Sequence, residues 1–411
     1  MNIYRTIYTI LYKIYRTLRN IKDDSKLKLL LRTGKLSKVR FVEYENSGKE
    51  VLVVKPRTIE TIEMPQIFNF IDKGSFDVDY PKISIWKFEN ARVFHRSDFI
   101  QISKDEVIWP KRNNYNFSKN VIMDSFMYKY DYNIGYIKRP LKIIKADVAY
   151  SLIGVHSHIW SHSVWEYIPK LFQIRKLIDS INEKLTILVP DYQEPHLKKI
   201  VYEELKKYDV EVLVVREDEA VDVKTLYFME RAAKSTDHEN YVEIGDFVQP
   251  QMTSDIWKQH ISIPYIDMYV KDKEKEPSLK LYLPRRNGGY RMMTNNDEIE
   301  AYYKEKGFVF VEPHKISFQE VVNLFYHAKI IAGPFSSAFT NLMFCRPGVK
   351  AFIMCNYTRA FENFLEPFQQ YFGATIKWQL GIDVDKDHPS HSSYYIPYEL
   401  MKAACQKYGI E

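Results

Sequence analysis

Two successive runs of alternating strand-like and helix-like segments restrict the fold of this chain more than any other feature of its sequence. The first run occupies residues 146–217 and the second occupies residues 278–355, and in both a short apolar segment precedes a longer one of helical periodicity. Such alternation produces a parallel sheet with helices on both faces. The sequence therefore predicts an α/β fold with two doubly wound domains and a cleft between them, in which ligands bind beyond the carboxyl ends of the strands.

The segments outside these runs complete the predicted organisation. A chain of 411 residues is too long for one compact core. Residues 41–111 have the pattern of a β-rich lead-in, because strand-like segments such as KISIWKF and ARVFHR alternate with polar turn residues. The charged run KDKEKEPSLK predicts a solvated loop near the start of the second domain. We predict an amphipathic N-terminal helix region at residues 1–40, an N-terminal domain at residues 41–250 and a C-terminal domain at residues 251–411.

The composition is that of an ordinary folded protein. Hydrophobic residues make up 45% and charged residues 27% of the chain. The formal net charge of +6 is small beside 59 basic and 53 acidic side chains, so it does not indicate a nucleic-acid partner. The cysteines show no CxxC spacing, which argues against a disulfide framework and a structural zinc site and favours a reducing cytoplasm. They are Cys345, Cys355 and Cys405.

The first twenty residues, MNIYRTIYTILYKIYRTLRN, form an amphipathic and basic pattern. Basic side chains interrupt every apolar run, so the segment is neither a secretory signal nor a membrane-spanning helix. Apolar residues recur at helical spacing and all charges are positive, which is typical of a helix lying in an anionic membrane interface. A helix packed against the domain or against a partner chain is an equal alternative.

A small, hydroxyl-rich turn separates an apolar strand from an apolar helix in the segment AKIIAGPFSSAFTNLMFC. The helix is predicted to begin near Ser337, so that its first N–H groups and the positive end of its dipole face the cleft. This arrangement suits a diphosphate. A tight turn closed by an N-cap serine fits the same pattern, because the segment has neither a GxGxxG motif nor a Walker lysine.

A second candidate site follows the predicted strand LYLP. Arg285, Arg286 and Arg291 surround the flexible pair Gly288 and Gly289. Arginines at the end of a strand, beside such a pair, are suited to bidentate binding of phosphate oxygens. The alternative is a surface loop with solvated arginines, because arginine is mostly exposed in proteins.

The third candidate is the histidine-rich segment VHSHIWSHSVWEYIPKL. A helix is predicted over residues 163–181, with a kink at Pro169. His162 and Glu166 are four residues apart and share one face of this helix. A histidine held by a carboxylate is suited to act as a general base. A pair that serves only helix stability is the alternative.

Two further patterns have residue types that bind metal ions, and we interpret neither as a metal site. His156 and His158 belong to a strand-like segment, and no carboxylate or cysteine completes a ligand set. The motifs DVDY at Asp77 and DVDKD at Asp383 match the Asp-x-Asp pattern that holds a metal on a nucleotide diphosphate. Neither closes a convincing strand beside the other motifs, so solvated turns are expected.

In this order, the three candidate segments resemble glycosyltransferase family 61. HSVWEYIPKL resembles the family's His-Trp, Glu and Pro-Arg-Leu segment, and LPRRNGGYRMMTNNDEIE resembles its Ser-Arg-Arg, Arg and Asn-Glu-x-Glu segment. Residues 317–348 resemble its Ser-Phe-x-Glu-Gln, Gly-Pro-His-Gly-Ala-x-x-x-Asn and Pro-Gly segments, and FENARVFHRSDFIQISKDEVIWP is similar to its β-rich beginning. The resemblance spans about residues 83–374 in scattered blocks.

The resemblance implies a GT-B fold with two Rossmann-like domains. The C-terminal domain would bind the nucleotide sugar and the N-terminal domain the acceptor. It implies inverting transfer from a UDP-sugar, without an obligatory metal and without a further cofactor. The implied catalytic residues are His162 and Glu166. The implied donor-binding residues are Arg285, Arg286, Arg291, Gly333, Pro334, Phe335, Ser336, Ser337 and Asn341.

The chain departs from the family pattern at the glycine-proline turn. Phe335 stands where the family has a histidine, and Ser336 stands where it has a glycine. The acidic residue that the family has after the next strand corresponds to Cys355 or Met354. One nucleotide contact is therefore lost or replaced, for example by stacking of Phe335 on the base.

We interpret the chain as a cytoplasmic inverting glycosyltransferase, attached to the inner face of a membrane by residues 1–20. The acceptor is expected to be a hydroxyl of a surface glycan, such as a capsular polysaccharide or lipopolysaccharide chain on a lipid. Two alternatives come from other classes of protein. The altered turn is compatible with an inactive nucleotide-sugar-binding or scaffold protein of glycan assembly. A sugar epimerase would need a nicotinamide fingerprint, which we do not find.

Overall fold

The chain folds into a mixed α/β structure with two large sheets, a two-stranded ribbon and helices packed on the sheets. A computed structural model describes residues 25–63, 66–70, 74–80, 82–108, 126–131, 134–230, 254–286, 291–356, 372–384 and 392–411. The amphipathic segment of residues 1–20 and the glycine pair Gly288 and Gly289 lie outside the described residues. Predictions about them therefore remain predictions.

The strands are numbered in chain order within the described residues. The first ten are β1 (Leu36–Val42), β2 (Lys49–Lys55), β3 (Thr58–Glu63), β4 (Gln66–Ile67), β5 (Ser75–Tyr80), β6 (Ile83–Phe94), β7 (Ile100–Gln101), β8 (Glu106–Ile108), β9 (Met127–Asp131) and β10 (Ile134–Lys138). The others are β11 (Lys142–Ser151), β12 (Thr186–Pro190), β13 (Glu211–Val215), β14 (Glu219–Met229), β15 (Leu279–Tyr282), β16 (Val309–Phe310), β17 (Ala328–Pro334), β18 (Lys350–Asn356), β19 (Thr375–Asp383) and β20 (Tyr394–Tyr395).

The helices are numbered in the same way, and three kinds occur. The α-helices are α1 (25–32), α2 (Trp160–His162), α3 (Ile168–Leu171), α4 (Ile174–Ser180), α5 (Pro195–Leu205), α6 (Ser254–Trp257), α7 (Ile263–Tyr269), α8 (Asn296–Glu305), α9 (Phe318–Tyr326) and α10 (Tyr398–Tyr408). The π-helical turns are Ser163–Tyr167 and Lys258–Ser262. The 3-10 helices are Tyr44–Asn46, Pro313–Lys315 and Ser337–Phe344.

The first sheet contains both the predicted lead-in and the first β/α run. Its parallel part has the order β13-β12-β11-β14, and β14 continues through antiparallel β6 to β7, β8, β1, β10 and β9, with β2 also on β6. The sheet curls strongly, since Val215 at the end of β13 and Val221 near the start of β14 share one apolar cluster. The sheet is therefore mixed and not parallel throughout.

The predicted separation of KISIWKF and ARVFHR by a turn is wrong, because both belong to the single strand β6. Its ladder with β14 continues on both sides of Asn90, through Glu89 paired with Thr225 and Ala91 paired with Val223. Asn90 itself has a left-handed φ of 52°. Asparagine tolerates that conformation, and the polar residues Glu89 and Asn90 lie on the exposed side of a continuous strand.

The second sheet confirms the prediction of a second β/α run. Strands β15 to β19 are parallel and adopt the order β16-β15-β17-β18-β19, with β20 antiparallel at one edge. When these five strands are numbered by their order along the chain, their order in the sheet is the doubly wound order 2-1-3-4-5. Connections leave such a sheet in opposite directions between its first and third strands, which opens a crevice at their carboxyl ends. That crevice lies between the ends of β15 and β17.

The two sheets are connected by a shared core and by one strand. A single apolar cluster includes Val164, Trp257 and Phe339 together with side chains from both sheets. The short strand β4 belongs to the lead-in of the chain, yet it pairs in parallel with β19 of the second sheet. The boundary predicted at residue 250 therefore does not separate two sets of contacts completely.

Other predictions concern the surface. The charged run of residues 271–280 is mostly exposed, as expected for a solvated loop. The cysteines Cys345, Cys355 and Cys405 are buried and form no disulfide among the described residues. None of the helices in the described ranges has the length and apolarity that crossing a bilayer requires.

Candidate functional site

The carboxyl end of β11 leads into the histidine-rich segment. The predicted strand ends at Ser151, and residues 155–158 form a turn and not the extended segment expected for His156 and His158. Ser157 shapes this turn because its hydroxyl donates to the carbonyl of Gly154 at 2.8 Å and accepts from the Gly154 N–H at 3.2 Å. The chain then enters α2, which ends at His162.

The predicted pair of His162 and Glu166 is present in the structure. Nδ1 of His162 lies 2.5 Å from Oε1 of Glu166, and Glu166 is only 2% exposed. The His162 side chain is 28% exposed. A carboxylate that accepts the Nδ1–H fixes the tautomer in which Nε2 carries a free electron pair. The pair can therefore take a proton from a group in the crevice.

A π-helical turn supports this pair. The helix predicted over residues 163–181 is interrupted, since the π turn Ser163–Tyr167 precedes α3 and a further break separates α3 from α4. Nε1 of Trp257 donates to the Val164 carbonyl in this turn at 2.9 Å. Turns of this kind occur often at functional sites because they redirect a few side chains of a helix. The kink begins before Pro169 and not at it.

Two other histidines lie near His162. The ring centroids of His156 and His162 are 4.4 Å apart. Burial, together with the positive charge of Arg96, lowers the pKa of His158 to about 4. Within the described residues, no group of three or more histidine, cysteine, aspartate or glutamate side chains has a metal-binding arrangement.

Sequence reasoning assigned no role to the segment His95–Asp98, which follows β6. The Tyr167 hydroxyl donates to Oδ1 of Asp98 at 3.0 Å and so ties this segment to the π turn. Gly154 makes room for the same tyrosine, because a Cβ there would lie 1.9 Å from the Tyr167 ring. The signal in the sequence was the motif HRSD directly after an apolar strand. Its partner lies 69 positions away, so no local pattern connects the two.

On the second sheet, the glycine-proline turn lies beside the end of β15. The Leu283 N–H donates to the Ala332 carbonyl at 2.8 Å, and a Cβ on Gly333 would lie 2.5 Å from the Leu283 carbonyl oxygen. Gly333 has φ of 154°. Glycine is required here because the two chain segments approach closely, and this approach places Arg285 next to the turn.

The predicted helix after the turn is a 3-10 helix and not an α-helix. It begins at Ser337, and its first hydrogen bond runs from the Phe339 N–H to the Ser336 carbonyl. The N–H groups of Ser337 and Ala338 precede that bond, so the feature needed for anion binding is retained. Ser336 does not cap the helix with its side chain.

Polar atoms at this turn are buried without hydrogen-bond partners among the described residues. They are Oγ of Ser336 and Oδ1 of Asn341, whose amide nitrogen donates to the Ala338 carbonyl at 3.0 Å. Ser337 is exposed. Because buried polar groups are normally satisfied, these atoms favour a polar ligand at the turn.

Phe335 lies between the turn and the core. Its N–H donates to the Met354 carbonyl at 2.8 Å, and its ring centroid is 5.7 Å from that of the buried Trp378. The Phe335 side chain is partly exposed. One side of its ring therefore contacts the protein, and the exposed part is open to a flat ligand.

The three predicted arginines have different surroundings. Arg286 forms a bidentate ion pair with the buried Glu300, with distances of 2.6 Å and 2.8 Å. This pairing raises the pKa of Arg286. Arg285 and Arg291 both lie close enough to Tyr394 for their positive charges to lower its pKa. The Tyr394 hydroxyl donates to the Met354 carbonyl at 3.0 Å. Burial raises the pKa of Tyr394, and the two positive charges oppose that shift. Arg285 and Arg291 therefore lie near the carboxyl end of β18.

The aspartates expected in solvated turns lie elsewhere. Asp77 is part of β5 and accepts a hydrogen bond from the Thr61 hydroxyl at 2.7 Å. Asp383 is the last residue of β19, and burial raises its pKa against the opposing effect of a hydrogen bond with Asn356. The prediction of a turn is wrong for Asp77 and for Asp383, because each belongs to a paired strand. The rest of the motif DVDKD, residues 385–387, lies outside the described residues.

The two halves of the candidate site meet. Helix α2 packs against the 3-10 helix Ser337–Phe344. The ring centroids of Trp160 and Phe318 are 6.2 Å apart, and Nε2 of His196 lies 3.2 Å from the Ile316 carbonyl oxygen. The segment that carries His162 is therefore in direct contact with the helix that follows the glycine-proline turn.

The family model for Glycosyltransferase 61 matches residues 160–352, a segment that contains all the predicted site residues of both sheets. No curated protein matches the chain.

Proposed function

We propose that this protein is an inverting glycosyltransferase that moves a sugar from a nucleotide sugar, UDP-linked, to a hydroxyl group of a glycan, because residues 160–352 match the family model for Glycosyltransferase 61. The observation that carries the proposal is the packing of α2 against the 3-10 helix. This contact brings the segment that carries the hydrogen-bonded pair of His162 and Glu166 next to the helix that follows the glycine-proline turn. A base and an anion-binding turn on one crevice are the two parts that such a transfer needs.

The donor diphosphate is assigned to the crevice between β15 and β17. Arg285 and Arg291 provide positive charge there, and the N–H groups of Ser337 and Ala338 provide neutral donors. The buried hydroxyl of Ser336 and the amide oxygen of Asn341 add polar atoms without hydrogen-bond partners among the described residues. Arg286 is held by Glu300 and acts as a positioning residue for the arginine segment. The positive charges make a metal ion unnecessary for holding the diphosphate.

The nucleobase is assigned to the exposed part of Phe335. The turn Gly333–Pro334 brings this ring to the rim of the crevice, and Trp378 supports it from the protein side. Stacking on an aromatic ring accepts any flat base. Uracil selection then depends on backbone groups, and we base the assignment of UDP on the family.

The reaction proceeds in one displacement. Nε2 of His162 accepts the proton of the acceptor hydroxyl, whose oxygen forms a bond to the anomeric carbon. The bond from that carbon to the UDP oxygen breaks on the opposite face, and the diphosphate leaves with the electron pair. A general base accelerates such a step by roughly 10²- to 10⁴-fold. Each donor that stabilises the leaving charge contributes about 10²- to 10³-fold.

The architecture and location follow the same proposal. The two sheets would be the two Rossmann-like domains of a GT-B enzyme, with the acceptor on the side of the first sheet. The acceptor would be a surface glycan, such as a capsular or lipopolysaccharide chain on a lipid, at the cytoplasmic face of a membrane. Residues 1–20 would supply the peripheral membrane contact.

Turnover of nucleotide sugars tests the proposal directly. The pure protein is incubated with a panel of UDP-, GDP- and CMP-sugars, and release of the nucleotide is measured with and without glycan extracts. We expect slow release from a UDP-sugar, lost in Arg285→Ala and Arg291→Ala. Arg175→Ala is the matched control, because Arg175 is exposed on α4 and pairs with Asp179. Unchanged release in the first two variants contradicts the donor site, and binding without any turnover favours a scaffold protein.

A further inference from the structure

A polar cluster lies beside the pair of His162 and Glu166, and the transfer described above does not use it. The cluster consists of His95, Arg96 and His158, and we call it the Arg96 cluster. His95 and Arg96 directly follow β6, and the His95 N–H donates to the Glu219 carbonyl at 3.1 Å. His158 belongs to the turn between β11 and α2. Two distant segments of the chain thus converge at the proposed acceptor side of the crevice.

Direct contacts fix this convergence. The hydrogen bond from Tyr167 to Asp98 anchors the segment after β6 to the π turn that carries Glu166. The close approach of Gly154 to Tyr167 anchors the turn that carries His158. His156 of the same turn lies 4.4 Å from the ring of His162. The Arg96 cluster therefore has a fixed position beside the proposed base.

The polar atoms of the cluster are buried without hydrogen-bond partners among the described residues. They are Nδ1 of His95, Nε of Arg96 and Nδ1 of His158. His95 is only 3% exposed. Arg96 also holds a left-handed φ of 47°, a conformation that costs free energy for a residue with a side chain. Buried nitrogen atoms without partners, at a strained residue near a crevice, indicate that a ligand supplies the missing partners.

The charges of the cluster favour an anion. Burial lowers the pKa of His95 and that of His158 to about 4, so both imidazoles are neutral near pH 7. The guanidinium of Arg96 supplies a positive charge, as arginine side chains do in proteins. Three carboxylates raise the pKa of His95 and so oppose the effect of burial, namely those of Asp191, Asp218 and Glu219. Glu219 is already bound by Lys142 at 2.8 Å and by the Arg216 N–H at 2.8 Å.

We propose that the Arg96 cluster binds a negatively charged group of the acceptor glycan, a carboxylate or a phosphate on the sugar that carries the attacking hydroxyl or on its neighbour. The guanidinium of Arg96 forms charge-assisted hydrogen bonds to the anion, and the neutral imidazoles donate one N–H each. This inference rests on the proposed function, because it assigns the acceptor class of the same site. It restricts the acceptor to acidic or phosphorylated glycans.

Binding of simple sugars tests the inference without any need for turnover. The full chain is titrated with glucuronic acid, glucose 6-phosphate and glucose, and affinities are measured by calorimetry and by ligand-observed NMR. We expect at least one of the two anions to bind about tenfold tighter than glucose, since a charge-assisted hydrogen bond contributes roughly that factor. Arg96→Gln should remove the preference, and Arg96→Lys should retain part of it. Whichever anion binds tighter identifies the acidic group.

Arg92→Gln is the matched control. Arg92 lies on β6, four residues before Arg96, and its guanidinium is bound to Asp222 at 2.5 Å and 3.0 Å. This variant should keep the preference for the anion. Equal affinity for all three sugars, or a preference that survives Arg96→Gln in a folded protein, overturns the inference. If the anion binds through Arg96 while no nucleotide sugar is turned over, the inference stands as an anion site and the proposed function fails.

Discussion

Replacing Glu166 by glutamine isolates the part of the proposed base that acts through His162. Glutamine has nearly the same volume, and its carbonyl oxygen can still accept the Nδ1–H that Oε1 accepts at 2.5 Å. The side chain stays buried, so the packing around the π turn is preserved. The substitution removes the negative charge that stabilises the imidazolium formed when Nε2 takes a proton.

The expected magnitude follows from that hydrogen bond. A hydrogen bond to a charged group contributes about 1.5–3 kcal/mol, against about 1 kcal/mol for a neutral one. The difference of about 0.5–2 kcal/mol corresponds to roughly a 2- to 30-fold loss of kcat. His162→Ala removes the base itself and should cost roughly 10²- to 10⁴-fold. The double variant should be no slower than His162→Ala, because Glu166 acts only through the histidine.

The assay is release of UDP from the donor identified in the panel, measured with saturating acceptor. Glu204→Gln is the matched control, because Glu204 is also buried and bonded, to Lys207 at 2.5 Å and to Tyr208 at 2.7 Å, but lies on α5. Free imidazole should restore part of the rate of His162→Ala, which a purely structural role would not explain. Full activity of Glu166→Gln, or a double variant that multiplies the two losses, refutes the assignment.

Two more predictions concern the stability of the site. Gly333→Ala places a Cβ 2.5 Å from the Leu283 carbonyl oxygen and should lower Tm by several degrees and weaken UDP binding. Gly307→Ala, with positive φ but no atom within 4 Å, should lower Tm less. The second prediction concerns His95, whose pKa burial lowers to about 4 in the folded protein. Between about pH 4 and 6.5 the unfolded chain therefore binds more protons than the folded one, and the free energy of unfolding decreases as the pH falls. His95→Gln should remove up to about 3 kcal/mol of this dependence in urea titrations, and an unchanged slope contradicts it.

The parts of the fold that depend on local patterns were predictable. The β/α alternation is read from periodicity, so strands β15 to β18 and helices α8 and α9 were found within a few residues of their observed ends. The helix after Ser317 begins where its capping box requires, since the side chains of Ser317 and Glu320 bond to each other's backbone N–H. Both features involve residues that are close together in sequence.

The parts that depend on distant contacts were not predictable. Strand order decides that Arg285 and Gly333 border one crevice, and no periodic pattern encodes strand order. The π turn Ser163–Tyr167 depends on Trp257, which comes from a different part of the chain. His95 and Arg96 became candidates only because the first sheet curls and returns the end of β6 to the histidine-rich turn. The pair of His162 and Glu166 was predictable because it is an i, i+4 pair.

The pairing of β4 with β19 has a consequence for how the chain reaches its final form. The ribosome releases Gln66 and Ile67 long before their partners Lys377 and Trp378. During synthesis β4 therefore belongs to a lead-in that already folds with the first sheet. The second sheet is complete only when β4 pairs with β19. A fragment starting at residue 251 would lack the strand and leave one side of β19 open to other chains. Expression of separate halves should give aggregation, and co-expression should rescue it.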